Sequence, residues 1–142
     1  MKGLSPRAQK LLFLAQEEGK KSGSVELLPE HILLALLKSA DGLGYLILQD
    51  LRINVLTFQL ALEQSIVLKN NSLNKSELPL SRRLKTILDI AVVESRSLRN
   101  DYIGTEHILI ATIQEENSAS CRFFQQEGIT LEVLRKKKKN VQ

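Results

Sequence analysis

The chain has 142 residues, of which 43% are apolar and 25% are charged, and its formal net charge is +4. This length and composition predict one soluble globular domain that needs no disulfide. The single cysteine, Cys121, fits a reducing compartment, and we expect a cytoplasmic protein. No apolar run is long enough for a signal peptide or a bilayer span, so we expect neither secretion nor a membrane partner.

The excess positive charge lies close to the C-terminus. Arg135 and the run Lys136 to Lys139 carry five charges, which leaves 15 basic and 16 acidic residues in the rest of the chain. A domain that binds nucleic acid would carry its basic face on the folded body. We therefore interpret residues 135–142 as a basic tail, a solvated helix end that leads into a linker, and we expect no nucleic-acid partner.

Helix signals follow one another along the first half of the chain. Ser5 is an N-cap followed by proline, and the spacing of apolar residues continues this helix to about Gly19. Pro29 begins a short helix that is apolar on most sides, and we expect it to be central. The break at Asp41-Gly42 predicts a further helix over Leu43 to Leu51. The N-cap Asn54 predicts another over Val55 to Val67.

The same signals return 76 positions later. Leu4 to Leu60 aligns without a gap on Leu80 to Lys136, with 13 identities over 57 positions. The matching helix starts in the second copy are Ser81, Thr105, Ala119 and, capped by Thr130, Leu131. A duplicated helical unit predicts an all-α domain of eight helices, built from two tandem four-helix repeats with pseudo-twofold symmetry.

These signals divide the single domain, residues 1–142, into two repeats. Repeat one spans about 4–68 and repeat two about 80–138. The polar segment at about 69–79 lacks periodicity and is predicted to be the connector. In the second copy the long first helix is expected to run to about Leu98, and the last helix to about Lys138.

Two strings carry a family resemblance. They are Leu4-Ser5-Pro6-Arg7-Ala8-Gln9-Lys10 and Asp101-Tyr102-Ile103-Gly104-Thr105-Glu106-His107-Ile108-Leu109. They resemble the amino-terminal (Clp N) double-repeat domain of Clp AAA+ unfoldases, closest to the ClpC type, and the resemblance covers nearly the whole chain. It implies a monomeric recruitment module that receives protein substrates and adaptor proteins. In the parent protein, AAA+ rings that use ATP and Mg would follow and feed the ClpP peptidase, while this chain itself would hold no cofactor.

The resemblance also implies a ligand for the repeated motif. ClpC-type domains recognise phosphorylated arginine, which would place Glu106, Thr105 and Glu30 in phosphoarginine-binding sites. A carboxylate suits the guanidinium fork, and N–H groups at a helix start suit the phosphate. The structural alternative is that each glutamate only stabilises its helix, by about 0.3–1 kcal/mol. Because Pro29 removes one N–H beside Glu30, we expect the first copy to bind more weakly.

Other charged and polar residues are open to two interpretations. Arg7 and Arg83 lie in the first turns of matched helices, where positive charge is unfavourable. They are expected to form a salt bridge, for instance to a glutamate of the same repeat, or to contact an anion. His31 and His107 lack a third zinc ligand at suitable spacing, so we expect packing or a helix-start hydrogen bond and no metal site.

No catalytic residue is predicted. The segment Gly19-Lys20-Lys21-Ser22 departs twice from a Walker A loop, and Cys121 lacks the signature of a catalytic thiol. The favoured function is therefore a binding module of a ClpC-type unfoldase. The alternatives are a standalone Clp accessory or adaptor protein of the same fold, a nucleic-acid-binding helical protein that uses Lys136 to Lys139, and a small hydrolase that uses glutamate and histidine.

Overall fold

The computed structural model describes residues 3–66, 76–96 and 102–142. These residues form eight α-helices and two very short strands. The helices are α1 Pro6–Lys21, α2 Pro29–Ser39, α3 Leu43–Asp50, α4 Val55–Ser65, α5 Arg82–Arg96, α6 Thr105–Ile113, α7 Ala119–Gln126 and α8 Leu131–Val141, and the strands are β1 Gly3–Leu4 and β2 Tyr102–Ile103. The predicted all-α class is confirmed. A shift of 76 positions superimposes the bounds of α3 and α4 on those of α7 and α8.

Most predicted helix starts agree with the structure because they depend on local caps. In five helices a polar side chain accepts an N–H group of the first turn. The predicted caps Ser5, Asn54 and Thr130 do so, and Ser81 and Ser118 cap α5 and α7 in the same way. Helix α1 continues to Lys21, two residues past its predicted end. Helix α4 ends at Ser65, before its predicted end at Val67, because the backbone of Ile66 is extended. The predicted end of α5, at Leu98, lies outside the described residues, as do Val67 and most of the connector.

The two repeats share one core. Phe58 of α4 stacks on Phe123 of α7 with ring centroids 4.5 Å apart, and Phe124 meets Phe58 edge-on at 5.4 Å. Helix α6 is buried along its whole length and α2 over its first nine residues, which confirms their predicted central position. Within the described residues no single helix is long and apolar enough to cross a membrane; α2 and α3 reach that length and hydropathy only together, across a 76° bend.

Backbone bridges connect the start of each repeat to the other repeat. Strands β1 and β2 are parallel, with Leu4 opposite Ile103. At the pseudo-symmetric place Leu27 forms a parallel bridge with Leu80. Sequence analysis did not predict these pairings because two residues are too few to show the alternation of a strand. As a result the start of α1 lies beside α6, the start of α5 lies beside α2, and each candidate site contains residues of both repeats.

The basic run near the C-terminus is only partly solvated. Arg135, Lys136 and Lys139 are exposed, as expected, but the interpretation as a solvated tail is wrong for Lys138, which is buried in the folded body. Helix α8 continues to Val141. The side chain of Lys138 is only 3% exposed, and its Nζ lies 3.2 Å from the carbonyl oxygen of Glu94 and 3.7 Å from its carboxylate. Arg135 forms a salt bridge with the same carboxylate at 2.6 Å. The run is anchored because its helix packs on α3 and α6, and because the side chains of Arg135 and Lys138 contact Glu94 of α5.

Repeat one explains why a lysine is buried at this position. Lys138 aligns with Leu62 of α4, which is fully buried. The same face of the helix packs inward in both repeats, and in α8 that face carries a lysine. Burial lowers the pKa of Lys138, while the charge of Glu94 opposes this effect. The second repeat thus has a buried ion pair where the first has an apolar contact.

Candidate functional site

The two repeated motifs begin α2 and α6 with the same hydrogen bond. In α6 the N–H of Gly104 donates to Nδ1 of His107 at 2.9 Å, and in α2 the N–H of Leu28 donates to Nδ1 of His31 at 2.9 Å. Both rings are almost completely buried. The predicted helix-start hydrogen bond is confirmed for both histidines. It fixes the first turn of each helix and, with it, the glutamate that precedes each histidine.

Thr105 begins α6, as predicted, but its side chain does not cap its own helix. Gly104 takes the N-cap position, with extended backbone at φ −95° and ψ 176°, and Thr105 is the first helical residue. The Oγ1 of Thr105 instead accepts the N–H of Gly44 at 2.9 Å, at the start of α3 in the other repeat. A Cβ on Gly44 would lie 2.9 Å from the Thr105 carbonyl oxygen, so only glycine permits this approach.

A pocket of about 380 Å³ lies at the start of α6, and we call it the Glu106 pocket. Its lining comes from the starts of α1, α3 and α6 and from β2, and consists of Ser5, Pro6, Arg7, Leu43, Tyr102, Gly104, Thr105, Glu106 and His107. Glu106 is 4% exposed, and its Oε2 accepts the side-chain amide of Gln142 at 2.9 Å. Helix starts direct partial positive charge outward. The pocket therefore combines a carboxylate acceptor for a cation with surroundings that favour an anion.

Arg7 lines this pocket, but its guanidinium forms a salt bridge with Asp41. The predicted salt bridge within the same repeat is confirmed, although its partner is an aspartate rather than a glutamate. The side chain of Arg7 is 63% exposed, and that of Asp41 is 42% exposed. A pair this exposed contributes little to stability and can rearrange. Arg7 is therefore available to an anion in the pocket.

Arg83, the pseudo-symmetric counterpart of Arg7, is held much more firmly. Its Nε and Nη2 donate to the two carboxylate oxygens of Glu115 at 2.7 and 2.8 Å, and its Nη2 also donates to Oε2 of Glu30 at 2.6 Å. The bond to Glu115 raises the pKa of Arg83, burial opposes that rise, and the bond to Glu30 adds to it. The motif glutamate of the first repeat thus already holds a guanidinium. We call this arrangement the Glu30 site.

The structure brings together only some of the predicted site residues. Arg7, Thr105 and Glu106 line one pocket, whereas Glu30 and Arg83 meet at the other site. Sequence analysis missed Glu115 and the contact of Gln142. The repeat alignment contains a signal for Glu115, because it replaces the serine at position 39, but Gln142 aligns with an isoleucine and gives none.

The fold and the pocket define a class of protein, a helical double-repeat domain with a polar binding pocket at a helix start. Residues 3–127 match the family described as the Clp repeat (R) N-terminal domain, and the chain belongs to this family. Clp N-terminal domains are non-catalytic binding modules of Clp ATPases, where they bind substrates and adaptors.

The relatives include more than one type of Clp protein. Over 129 residues the chain is 33% identical to the negative regulator of genetic competence ClpC/MecB of Bacillus subtilis, and 33% identical to the chaperone protein ClpB of Oceanobacillus iheyensis. Each alignment covers 91% of this chain and 16% of the relative, so the chain spans about one sixth of their length. These similarities establish the N-terminal domain family without separating the ClpC type from the ClpB type.

A solved structure has a similar fold. The N-terminal domain of Hsp104 from Candida albicans superimposes with a TM-score of 0.75 at 19% identity. The match covers 96% of this chain and 89% of that domain. At this identity the likeness concerns the fold alone.

Proposed function

We propose that this chain is the substrate- and adaptor-binding N-terminal domain of a ClpC-type unfoldase that works with the ClpP peptidase in the cytoplasm, and that it binds proteins tagged with phosphoarginine. One observation carries the proposal. In the Glu30 site a motif glutamate holds a guanidinium, that of Arg83, with a contact of 2.6 Å. Glu106 is the pseudo-symmetric counterpart of Glu30, and it faces a pocket large enough for an arginine side chain. The guanidinium of a ligand would bind Glu106 in the same way.

The rest of the Glu106 pocket suits the phosphate of such a ligand. The N–H groups of Thr105 and Glu106 lie in the first turn of α6. The N–H groups of a first turn have no acceptor within their own helix. A phosphate at this place would accept these groups and gain from the helix dipole. The exposed guanidinium of Arg7 lies on the same pocket wall and would add a charge-assisted contact.

The environment of α8 argues against the nucleic-acid alternative. Arg135 and Lys138 contact Glu94, and Lys137 forms a salt bridge with Asp50 at 2.6 Å. Three of the five charges in the basic run are thus already paired within the fold. A nucleic acid would have to displace these pairs before it could use the run.

Calorimetry and NMR titration with phosphoarginine test the proposal directly. We expect saturable binding in the millimolar range, because one small polar site offers few contacts. Glu106→Gln should weaken binding by about 10- to 150-fold, which corresponds to the loss of a charge-assisted hydrogen bond worth about 1.5–3 kcal/mol. Glu132→Gln is the matched control, since Glu132 is also a first-turn glutamate but is exposed and does not line the pocket.

The outcome that contradicts the proposal is equal heat from phosphoarginine and arginine, or equal loss in the Glu106 and Glu132 variants. The alternative binding function is that of a standalone accessory protein of the same fold. The DNA sequence of the gene after codon 142 distinguishes this alternative from the unfoldase. A Walker A motif encoded downstream of codon 142 supports the unfoldase. A stop codon at that place supports the accessory protein.

A further inference from the structure

The internal arginine of the Glu30 site has an anchor that its counterpart lacks. Arg83 is held by both oxygens of Glu115, a bidentate arrangement that fixes both position and orientation. The repeat alignment places a serine, Ser39, at the position of Glu115. Arg7 therefore has no such anchor and pairs with Asp41 instead. In turn, the counterpart of Asp41 is Asn117, which has no charge to draw Arg83 away from Glu30.

The buried carboxylate of Glu30 keeps Arg83 in place from the other side. Glu30 is 5% exposed, and a carboxylate buried to this extent is costly unless it is paired. Arg83 supplies that charge at 2.6 Å. A ligand that bound Glu30 would first have to break the contacts of Arg83 with two carboxylates. The Glu106 pocket requires only the displacement of a neutral amide, that of Gln142.

Arg83 nevertheless leaves Glu30 only partly satisfied. A single nitrogen, Nη2, serves both Glu30 and Glu115. The Oε1 of Glu30 is buried and has no hydrogen-bond partner among the described residues. An arginine that approached Glu30 with two N–H groups would satisfy both oxygens. Glu30 therefore retains the capacity to bind an external guanidinium once the anchor of Arg83 is removed.

We infer that Arg83 is a resident ligand that closes the Glu30 site, so that each chain binds one phosphoarginine, in the Glu106 pocket, and Glu115 is the residue that keeps the first site closed. The inference rests on the proposed function. It differs from the weakening expected from Pro29, because it assigns the difference between the two sites to the ion pairs around Arg83 rather than to one missing N–H group.

The test is the number of phosphoarginine molecules bound per chain, measured by calorimetry and located by NMR shifts of backbone amides in both repeats. We expect one ligand on the wild-type chain, with shifts at the start of α6. Glu115→Gln removes the anchor but keeps Arg83, which becomes free to hold the phosphate, and it should raise the number to two, with new shifts at the start of α2. Glu116→Gln, at the exposed neighbouring glutamate, is the matched control and should remain at one.

The outcomes separate this inference from the proposed function. Two ligands on the wild-type chain, or one ligand on both Glu115→Gln and Arg83→Gln, would overturn the inference and leave the proposed function intact. Arg83→Gln serves as the second variant in case the first perturbs the fold. No saturable binding at either repeat of any variant would reject both.

Discussion

The first-turn glutamates of α2 and α6 occupy equivalent positions in a duplicated fold, yet their neighbours differ. Glu30 contacts the guanidinium of Arg83, whereas Glu106 contacts the neutral amide of Gln142 beside a pocket. The backbone arrangement at the two helix starts is the same down to the histidine hydrogen bond. The availability of each site is therefore decided by charged residues outside the motif, above all by Glu115 where repeat one has a serine.

The interiors of the two repeats differ in the same manner. Helices α4 and α8 have matching bounds, but Leu62 in one is replaced by Lys138 in the other. The helix and its inward face are the same in both repeats, but the residue on that face, and therefore its contacts, differ. The carboxylate of Glu94 balances the charge of Lys138, and it also accepts hydrogen bonds from Arg135 and Gln114. Burial raises the pKa of Glu94, but these hydrogen bonds outweigh it and hold that pKa below its usual value.

The largest predicted difference in stability between the two repeats comes from removal of the carboxylate that pairs with Lys138. Glu94→Ala should lower the free energy of unfolding by about 3–5 kcal/mol, because it removes the negative charge that balances the buried ammonium of Lys138. The matched control is Glu18→Ala at the equivalent position, where the partner Lys38 is 40% exposed and the expected loss is below about 1 kcal/mol. Urea unfolding measures both variants. Equal losses would show that the buried ion pair of repeat two does not differ in energy from the exposed pair of repeat one.

A smaller effect is expected where the second repeat caps a helix of the first. Thr105→Val keeps the shape of the side chain but leaves the buried N–H of Gly44 without its acceptor, which should cost about 1–3 kcal/mol. Thr105→Ser should restore most of this stability. Thr86→Val, at an exposed threonine, should change the unfolding free energy by less than about 0.5 kcal/mol. If thermal unfolding shows no difference between the valine variants, the hydroxyl of Thr105 does not stabilise the junction of the repeats.

The smallest predicted effect concerns pH and the helix start of the first repeat. Burial lowers the pKa of His31 below its ordinary value of 6.5, although the charges of Glu30 and Glu18 oppose this. Because Nδ1 accepts the N–H of Leu28, the folded state holds the neutral ring, and the unfolded chain binds the proton more readily. The free energy of unfolding should therefore fall as the pH drops below about 6.5, by at most about 1.4 kcal/mol per pH unit for one proton.

Urea unfolding at pH 7.5 and pH 5.5 measures this slope, and His31→Asn should reduce it. Asparagine can still accept the N–H of Leu28 but does not titrate, so the fold is kept while the pH dependence is removed. A slope that is unchanged in His31→Asn would assign the pH dependence to other groups.

The architecture of the repeats can be predicted from local sequence signals. Caps such as Ser5 and Thr130, and the recurrence of apolar residues at helical spacing, act within about four residues and can be interpreted without knowledge of the fold. The duplication then predicted that two such units pair. It also predicted correctly that Glu30 and Glu106 lie in the first turns of α2 and α6. The motif glutamate of each candidate site can therefore be identified from the sequence.

Which residues meet at those sites depends on how the helices pack in three dimensions. The crossed backbone bridges, β1 with β2 and Leu27 with Leu80, bring the start of each long helix to the other repeat. This is why Arg83 reaches Glu30, and why the hydroxyl of Thr105 serves α3 instead of its own helix. Such contacts join residues about 50 to 60 positions apart, for example 53 between Glu30 and Arg83 and 61 between Gly44 and Thr105. Local periodicity contains no information on pairs at that separation, because their distance is fixed by how the helices pack and not by the conformation of the chain between them.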